Sequence, residues 1–225
     1  MKSTQTRSQK TRENLLAAAG EIFAEMGFRE ATIAAICGKA GVNIAAVNYH
    51  FGSKENLYRE SWKHAFQQSI QAHPPDGGIA ADALPEERLG GQIVALIHRM
   101  ADKKNREIWF IHREISNPTG LLGKSFRDII GRLHAETAKA IRDLLGPQVT
   151  EQEALFCEVY IVSQCVNPMV VPHKLAVSRE KRDNLWHIVD IEAYAEHVVT
   201  VSLAGIRAIR KRAETRKQPQ GNILT

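Results

Sequence analysis

The sequence predicts an all-α fold of about nine helices. Apolar residues recur at helical spacing along most of the 225 residues, whereas no stretch alternates apolar and polar residues as a half-buried strand does. Proline and glycine separate these stretches, most clearly at 73–85, where three prolines and two adjacent glycines interrupt the pattern. We expect a three-helix N-terminal domain over 1–54, a larger helical domain over 55–213, and a basic and polar tail over 214–225.

The composition is that of a soluble globular protein. Hydrophobic residues make up 44% of the chain, which is enough for a sizeable core. Cys37, Cys157 and Cys165 form no CxxC pair and leave one cysteine unpaired in any disulfide scheme, which favours a reducing compartment. The start is polar, and no run approaches the ~18 apolar residues of a membrane span. We expect a cytoplasmic protein that does not bind membranes.

Positive charge is concentrated at both ends of the chain. The formal net charge of +5 favours a polyanionic partner without establishing one. Residues 1–12 contain four lysines or arginines and no acid, and residues 207–217 contain six against one glutamate. Such arms are commonly disordered and solvated, which is the preferred interpretation of the C-terminal run. For the N-terminal arm, contact with phosphates or with the minor groove of DNA is an equal alternative.

Two helices with one apolar face each open the chain. The first begins after Thr11 and ends at Gly27. Its predicted core face comprises Leu15, Leu16, Ala19, Ile22, Phe23 and Met26. The second helix has its apolar residues at i, i+3, i+4 and i+7, namely Ile33, Ile36, Cys37 and Ala40. Gly41 can adopt the positive φ with which such a helix commonly ends.

A third, short helix follows this glycine. Asn43 is a suitable N-cap. Val47 and Phe51 are four residues apart and lie on the same side as Asn43, which turns residues 44–45 and Asn48 to the opposite side. Helix, glycine-containing turn and helix form the helix-turn-helix pattern, in which the second helix enters the major groove of DNA.

One stretch of about twenty residues combines Thr32, Ile36, Ala40-Gly41-Val42, Tyr49-His50-Phe51 and Lys54 at fixed spacing. This arrangement resembles the DNA-binding signature of TetR-type transcriptional repressors. The family usually has Gly, Leu and Tyr where this chain has Ala45, Val47 and Asn48. Val47 preserves an apolar contact, whereas the other two face outward, so the operator sequence does not follow from the resemblance.

The resemblance implies which residues meet DNA. Thr32, Tyr49, His50 and Lys54 occupy positions where the family contacts phosphates, and their side chains can all donate to phosphate oxygens. The other predicted contact residues are Asn43, Ile44, Ala45, Ala46 and Asn48, of which the last four are expected to read bases. Asparagine can pair bidentately with adenine, and Ile or Ala can meet thymine methyl groups. We therefore predict an A·T-containing half-site.

Six further helices are predicted. Ser53 caps the first of them, whose inner side carries Leu57, Tyr58, Ser61, Trp62, Ala65 and Phe66. Beyond the loop at 73–85, helices are expected around 93–100, 108–115, 122–145, 150–170 and 190–213. Asn117-Pro118 and Gly146-Pro147 provide breaks, and a charged loop around Ser178–Asn184 separates the last two helices.

FIHRE at Phe110–Glu114, followed by Pro118-Thr119, resembles the ligand-sensing domain of the TetR subgroup with a CerR-type C-terminal region. The resemblance implies a homodimer in which the last two helices of each subunit form a four-helix interface. Both helices are apolar around much of their circumference, which agrees with burial by a partner. The residues concerned are Ala154, Leu155, Cys157, Glu158, Ile161, Val162, Cys165 and Val166, with Ala195, Val198, Val199 and Ser202–Ile206.

A small-molecule effector site needs apolar walls and a few polar groups. The candidates are Trp109, His112, Arg113, Phe126, Phe156, Tyr160 and Gln164. Core packing is the preferred role of Trp109, and His112 and Arg113 could equally make interhelical hydrogen bonds or a dimer salt bridge. Nothing in the sequence separates residues that line a cavity from residues that fill a core.

Enzymatic activity is not expected. The chain has no HExxH, phosphate-binding glycine loop, nucleophile elbow or Cys/His metal spacing, so we predict no catalytic residue, metal or cofactor. We expect a ligand-responsive DNA-binding regulator, a repressor by family habit, that binds a palindromic operator as a homodimer and is released by a small molecule. The alternatives are an enzyme or a protein-binding adaptor that does not use its DNA-binding head.

Overall fold

The computed structural model describes residues 2–175 and 188–217, and this part of the chain is all-α, as predicted. Its helices are α1 (Lys2–Glu30), α2 (Ile33–Ala40), α3 (Ala45–Phe51), α4 (Lys54–Ala72), α5 (Pro85–Ala101), α6 (Glu107–Ser116), α7 (Gly123–Leu145), α8 (Glu151–Leu175) and α9 (Ile191–Lys217). The loop expected before Pro85 is confirmed. The charged loop predicted at Ser178–Asn184 lies outside the described residues. None of the described helices is long and apolar enough to cross a membrane.

The chain divides into two compact units. Unit 1 comprises Met1–Ala72 and Asp102–Asp128, and unit 2 comprises His73–Ala101 and Ile129–Thr225. Unit 1 therefore contains α4, α6 and the first residues of α7 in addition to the helix-turn-helix. The predicted boundary of the DNA-binding domain at residue 54 differs from this division into compact units, and it stays a prediction.

Aromatic rings form the centre of unit 1. Tyr58 of α4 packs edge-on against Phe23 of α1, with 4.9 Å between ring centroids, and lies 5.3 Å from Phe110 of α6. The helix-turn-helix adds the buried side chains Ile36, Cys37, Val47 and Phe51. Helices as short as α2 and α3 are not stable alone, so this burial holds them in place.

α1 begins earlier than predicted, and one residue of its predicted core face is exposed. It begins at Lys2, so the basic arm expected before Thr11 continues the helix. The chain leaves helical geometry at Gly27, as predicted, with φ 80° and ψ 172°. Met26, which was predicted to face the core, is 46% exposed. It precedes the break directly, at the end of the helical segment.

α6 buries a different face from the one predicted. Phe110 is fully buried, whereas Trp109, His112 and the neighbouring isoleucines 108 and 111 are half-buried. The predicted face followed the spacing of the aliphatic residues. The orientation of α6 is decided instead by contact of the Phe110 ring with Tyr58 and Phe23. Packing against other helices thus outweighs the local spacing of apolar residues.

Unit 2 has a core made by α5, the second half of α7, α8 and α9. The core residues include Leu89, Ile93, Ile97, Ile141, Leu145, Ala154, Cys157, Ile161, Cys165, Ala195, Val198 and Ile206. Seven residues predicted for the dimer interface are instead buried in the core of their own subunit: Ala154, Cys157, Ile161, Cys165, Ala195, Val198 and Ile206. The placement of these seven at the interface is wrong, because the two faces of α8 and α9 could not be distinguished by periodicity.

The basic end of α9 is attached to α8. Arg216 and Arg212 donate to Glu153 at 2.8 and 3.3 Å. Glu153 also accepts from the backbone N–H of Thr150, in the manner of a capping box. The hydrogen bond from Arg216 is the largest of the influences that lower the pKa of Glu153 to about 2. The run is therefore ordered rather than a disordered arm, although Arg212 and Arg216 remain solvent-exposed, as the preferred interpretation expected.

Candidate nucleic-acid interface

The helix-turn-helix is closed by specific backbone contacts. Thr32 caps α2, since its hydroxyl accepts from the Ala35 N–H at 3.1 Å. Gly41 ends α2 with φ 67° and ψ 35°, in the left-handed region that favours glycine. The hydroxyl oxygen of Thr32 acts as acceptor in the cap, so its proton is available for donation to a phosphate.

Asn43 precedes α3. Its Oδ1 accepts from the Ala45 N–H at 2.9 Å, and Ile44 already has helical dihedral angles, φ −54° and ψ −34°. Ile44 therefore occupies the cap position, without a side-chain cap hydrogen bond, and Asn43, the predicted N-cap, lies one residue before it. The hydrogen bond between Asn43 and Ala45 fixes the direction of the first turn of α3, which carries the side chains predicted to read bases.

α3 has one buried and one exposed face, as predicted. Val47 and Phe51 are 1% and 5% exposed. The opposite side carries the exposed residues Ile44, Ala45, Asn48 and Tyr49. Asn43, which precedes the helix, is also exposed, and Ala46 and His50 are half-buried. Ile44 is 52% and Tyr49 80% exposed, so two large apolar side chains point outward at neighbouring turns of one short helix. Such exposure costs hydrophobic stabilisation and is explained when the face meets a partner.

Three predicted phosphate-contacting residues have aromatic neighbours. The ring of Tyr49 meets that of His50 edge-on, with 4.9 Å between centroids. Lys54 Nζ lies 4.6 Å from the centre of the Phe28 ring and donates to the Arg29 carbonyl at 3.5 Å. An ammonium group has three N–H donors, so these contacts orient Lys54 and leave it able to bind an anion.

A salt bridge between α1 and α2 escaped the sequence analysis. Lys39 Nζ lies 2.6 Å from Glu21 Oε2. The hydrogen bond from Lys39 is the main cause of the lowered pKa of Glu21. The two residues belong to different helices, and no local pattern pairs residues so far apart in sequence. The bridge fixes the end of α2 that leads into the glycine turn.

The residues predicted for an effector site belong to both units. Trp109, His112, Arg113 and Phe126 lie in unit 1, and Phe156, Tyr160 and Gln164 lie in unit 2. Phe156 and Tyr160 are 59% and 48% exposed on α8. Their interpretation as cavity-lining residues is therefore wrong for a single subunit. The backbone carbonyl of Gln164 accepts from Tyr194 Oη at 2.7 Å.

Arg113 bonds to α1 rather than lining a ligand site. Its guanidinium donates to the backbone carbonyls of Ala24 and Glu25 in α1. This is one of the alternatives left open above, an interhelical hydrogen bond. Phe126 lies beside Trp62 of α4, with 5.9 Å between ring centroids. Trp62 was predicted only as a core residue.

Glu114, part of the FIHRE segment, was not singled out by the sequence analysis. Its carboxylate accepts from the Thr119 N–H and hydroxyl and from the Gly120 N–H, all at about 3 Å. It also accepts from Tyr58 Oη at 3.3 Å. Burial first, and the charge of Glu114 second, raise the pKa of Tyr58, so the phenol remains a donor. The FIHRE segment and Pro118-Thr119 thus meet around one carboxylate.

Comparison with known families gives two matches along the chain. Residues 15–60 match the family model of bacterial regulatory proteins of the TetR family. Residues 85–206, more than half of the chain, match the C-terminal domain of the HTH-type transcriptional dual regulator CecR. The second match corrects the subgroup name given above from CerR to CecR.

Individual relatives agree with these matches over short spans. The chain is 44% identical over 57 residues to the transcriptional regulator UidR of Escherichia coli K12, which is 25% of this chain and 29% of UidR. It is 31% identical over 90 residues to the transcriptional repressor NicS of Pseudomonas putida, 40% and 41% of the two chains. The match thus spans less than half the length of these relatives.

Solved structures show the same fold over most of the chain. A TetR-like regulator from Rhodococcus sp. RHA1 superposes with a TM-score of 0.64 at 19% identity, over 88% of this chain and 96% of that one. The TetR-family regulator PfmR from Thermus thermophilus gives 0.59 at 16% identity, over 84% and 97%. The two family matches together assign the protein to the TetR family, with a CecR-type C-terminal domain.

Proposed function

We propose that this protein is a DNA-binding transcriptional regulator that recognises its operator through the exposed face of α3. The observation that carries the proposal is the contrast between the two faces of α3. Val47 and Phe51 anchor the helix in the core, while Ile44, Asn48 and Tyr49 point outward. A helix anchored in this way presents side chains to the major groove as in other helix-turn-helix proteins.

The proposed contacts with DNA are of two kinds: contacts with bases, which read the sequence, and contacts with phosphates, which position the protein. Asn48 reads an adenine through its amide, and Ile44 and Ala45 meet thymine methyl groups, which favours an A·T-containing half-site. Thr32, Tyr49, His50 and Lys54 bind phosphates and set the register of the helix on DNA. Lys54 is pre-oriented for this role by the Phe28 ring.

A homodimer would place two such helices on a palindromic operator. Support comes from a stripe of exposed apolar residues on α8, comprising Leu155, Phe156, Val159 and Tyr160, each about half exposed. On α9, Val201, Ala204, Gly205 and Ala208 form an exposed stripe at helical spacing, and small residues allow close helix approach. An apolar face of this kind is explained when a second copy covers it.

We further propose release by a small molecule that binds in unit 1 near Trp62. Trp62 Nε1 and Ser61 Oγ are buried and have no hydrogen-bond partner among the described residues. Phe66 and Phe126 each lie with ring centroids 5.9 Å from Trp62. Aromatic rings beside unsatisfied donors are the groups that a flat ligand carrying a hydrogen-bond acceptor would contact. We propose that the protein represses transcription, as the name of the relative NicS says of that protein.

The first experiment is selection of bound genomic fragments by the purified protein. The proposal predicts recovery of a palindromic motif containing A·T pairs at the positions read by Asn48. Recovery of no DNA at low salt would contradict it and favour the protein-binding adaptor.

Two substitutions then separate reading from positioning. Asn48→Ala should reduce discrimination at one base pair by about 1–3 kcal/mol, because only a base-edge contact is lost. Lys54→Ala should weaken binding to all sequences alike and reduce the salt slope by roughly one. Lys139→Ala on α7 of unit 2, which is 64% exposed, is the matched control and should change neither. Unchanged base preference in Asn48→Ala would overturn the assigned reading face.

A further inference from the structure

The turn between α6 and α7 is held by one carboxylate. Glu114 accepts hydrogen bonds from the Thr119 hydroxyl at 2.9 Å, and from the backbone N–H groups of Thr119 and Gly120 at 3.0 Å. Hydrogen bonds to an ionised acceptor are about twice as strong as neutral ones. The turn at 117–121 therefore moves with Glu114 rather than as an independent loop.

Two adjacent residues of α4 join the same turn. Tyr58 Oη donates to Glu114 at 3.3 Å, and Arg59 Nε donates to the Leu121 carbonyl at 3.1 Å. Tyr58 is 1% exposed, and its ring packs on Phe23 and Phe28 of α1. Tyr58 therefore connects the turn to α1 through one hydrogen bond and the packing of its ring.

α6 makes a second attachment to α1 through the preceding residue. The Arg113 guanidinium donates to the carbonyls of Ala24 and Glu25, in the last turn before the break at Gly27. Carbonyls in the last turn of a helical segment lack regular partners and carry the negative end of the helix dipole, which favours a cation there. The arginine stem crosses the glycine, since a Cβ added at Gly27 would lie 3.8 Å from Arg113 Cδ.

We propose that Glu114 and Arg113 are positioning residues for operator binding: they tie α4 and α1 to the 117–121 turn and hold the helix-turn-helix in its DNA-binding arrangement without touching DNA. The proposal rests on the proposed function and adds a regulatory part to it. Whatever moves the turn changes the fraction of heads in the binding arrangement, and the apparent affinity falls by that fraction.

Tyr58→Phe tests the link with the smallest change. It removes the donor to Glu114 and keeps the ring that packs on α1. Glu114→Gln removes the charge and keeps the shape. Each variant should bind the selected operator about three- to tenfold more weakly, with an unchanged salt slope, because no phosphate contact is lost. Hydrogen exchange of the Thr119 and Gly120 amides should be faster in Glu114→Gln. The double variant Tyr58→Phe/Glu114→Gln should lose less operator affinity than the product of the two single losses, because both substitutions remove the same hydrogen bond.

Tyr194→Phe is the matched control. The same hydroxyl is removed from a half-buried tyrosine of unit 2, which donates to the Gln164 carbonyl at 2.7 Å, and operator affinity should not change. The proposal is overturned if Tyr58→Phe and Glu114→Gln bind as the wild type does, bind more tightly, or lose no more affinity than Tyr194→Phe. It is also overturned if their effects multiply independently. Failure of the wild type to bind DNA would instead refute the proposed function.

Discussion

Phe156→Glu tests whether the exposed stripe on α8 is the homodimer interface. Phe156 is 59% exposed in one subunit. A phenylalanine buries about 200 Å² when fully enclosed, so a partner would cover about 120 Å² of this side chain. At ~25 cal/mol per Å² this corresponds to about 3 kcal/mol for each subunit, and twofold symmetry doubles the effect to about 6 kcal/mol.

The expected result is a large loss of dimerisation. A change of ~6 kcal/mol corresponds to about 10⁴ in the dissociation constant of the dimer. Sedimentation velocity over a range of concentrations measures that constant, and the helical circular dichroism signal shows whether the subunit remains folded. Since the side chain contributes little to the core of its own subunit, the signal should be retained.

Leu84→Glu is the control for a charge placed on an exposed apolar residue. Leu84 is 65% exposed and belongs to the loop before α5, not to the apolar stripes of α8 and α9. Its substitution should leave the dimer intact. The reasoning is refuted if Phe156→Glu dimerises with the wild-type constant, or if Leu84→Glu weakens the dimer equally.

Two further predictions follow from the ends of the chain. The pKa of Glu153 is lowered to about 2, so its pairing with Arg212 and Arg216 stabilises the fold above its ordinary pKa and ceases to do so as the pH falls toward 2. Thermal melts should therefore show Glu153→Gln less stable than the wild type at pH 6, with the difference shrinking below pH 4; a constant difference would contradict this. Deletion of residues 1–9 removes two cations and should reduce the salt slope of operator binding by about one to two, whereas unchanged affinity at low salt would exclude the arm from DNA contact.

The fold followed from local patterns wherever one face of a helix was apolar. The breaks at Gly27 and Gly41 and the orientation of Val47 and Phe51 depend on residues close in sequence. The predictions failed where a helix had apolar residues on several sides. In α6 and α8, only contacts with distant helices decide which side is buried.

The candidate site was predictable to the same degree. Exposure of the α3 face follows from the positions of two buried residues, so Ile44, Ala45 and Asn48 could be assigned to it beforehand. The Glu21–Lys39 bridge joins residues of separate helices, and the Tyr58–Glu114 contact joins residues 56 apart. Sequence spacing carries no signal for such contacts, because the fold alone brings the partners together.

The position of α6 in unit 1 changes how an effector would reach the DNA-binding face. The sequence placed Trp109, His112 and Arg113 in a ligand domain that begins at residue 55, so a signal would have to cross a domain boundary. In the structure these residues belong to the same compact unit as α1–α4, and Arg113 bonds directly to α1. The effector proposed above would therefore act on helices of the unit that contains the helix-turn-helix. A ligand that binds one conformation of unit 1 more tightly than another shifts the population of the DNA-binding conformation. Operator affinity measures that population.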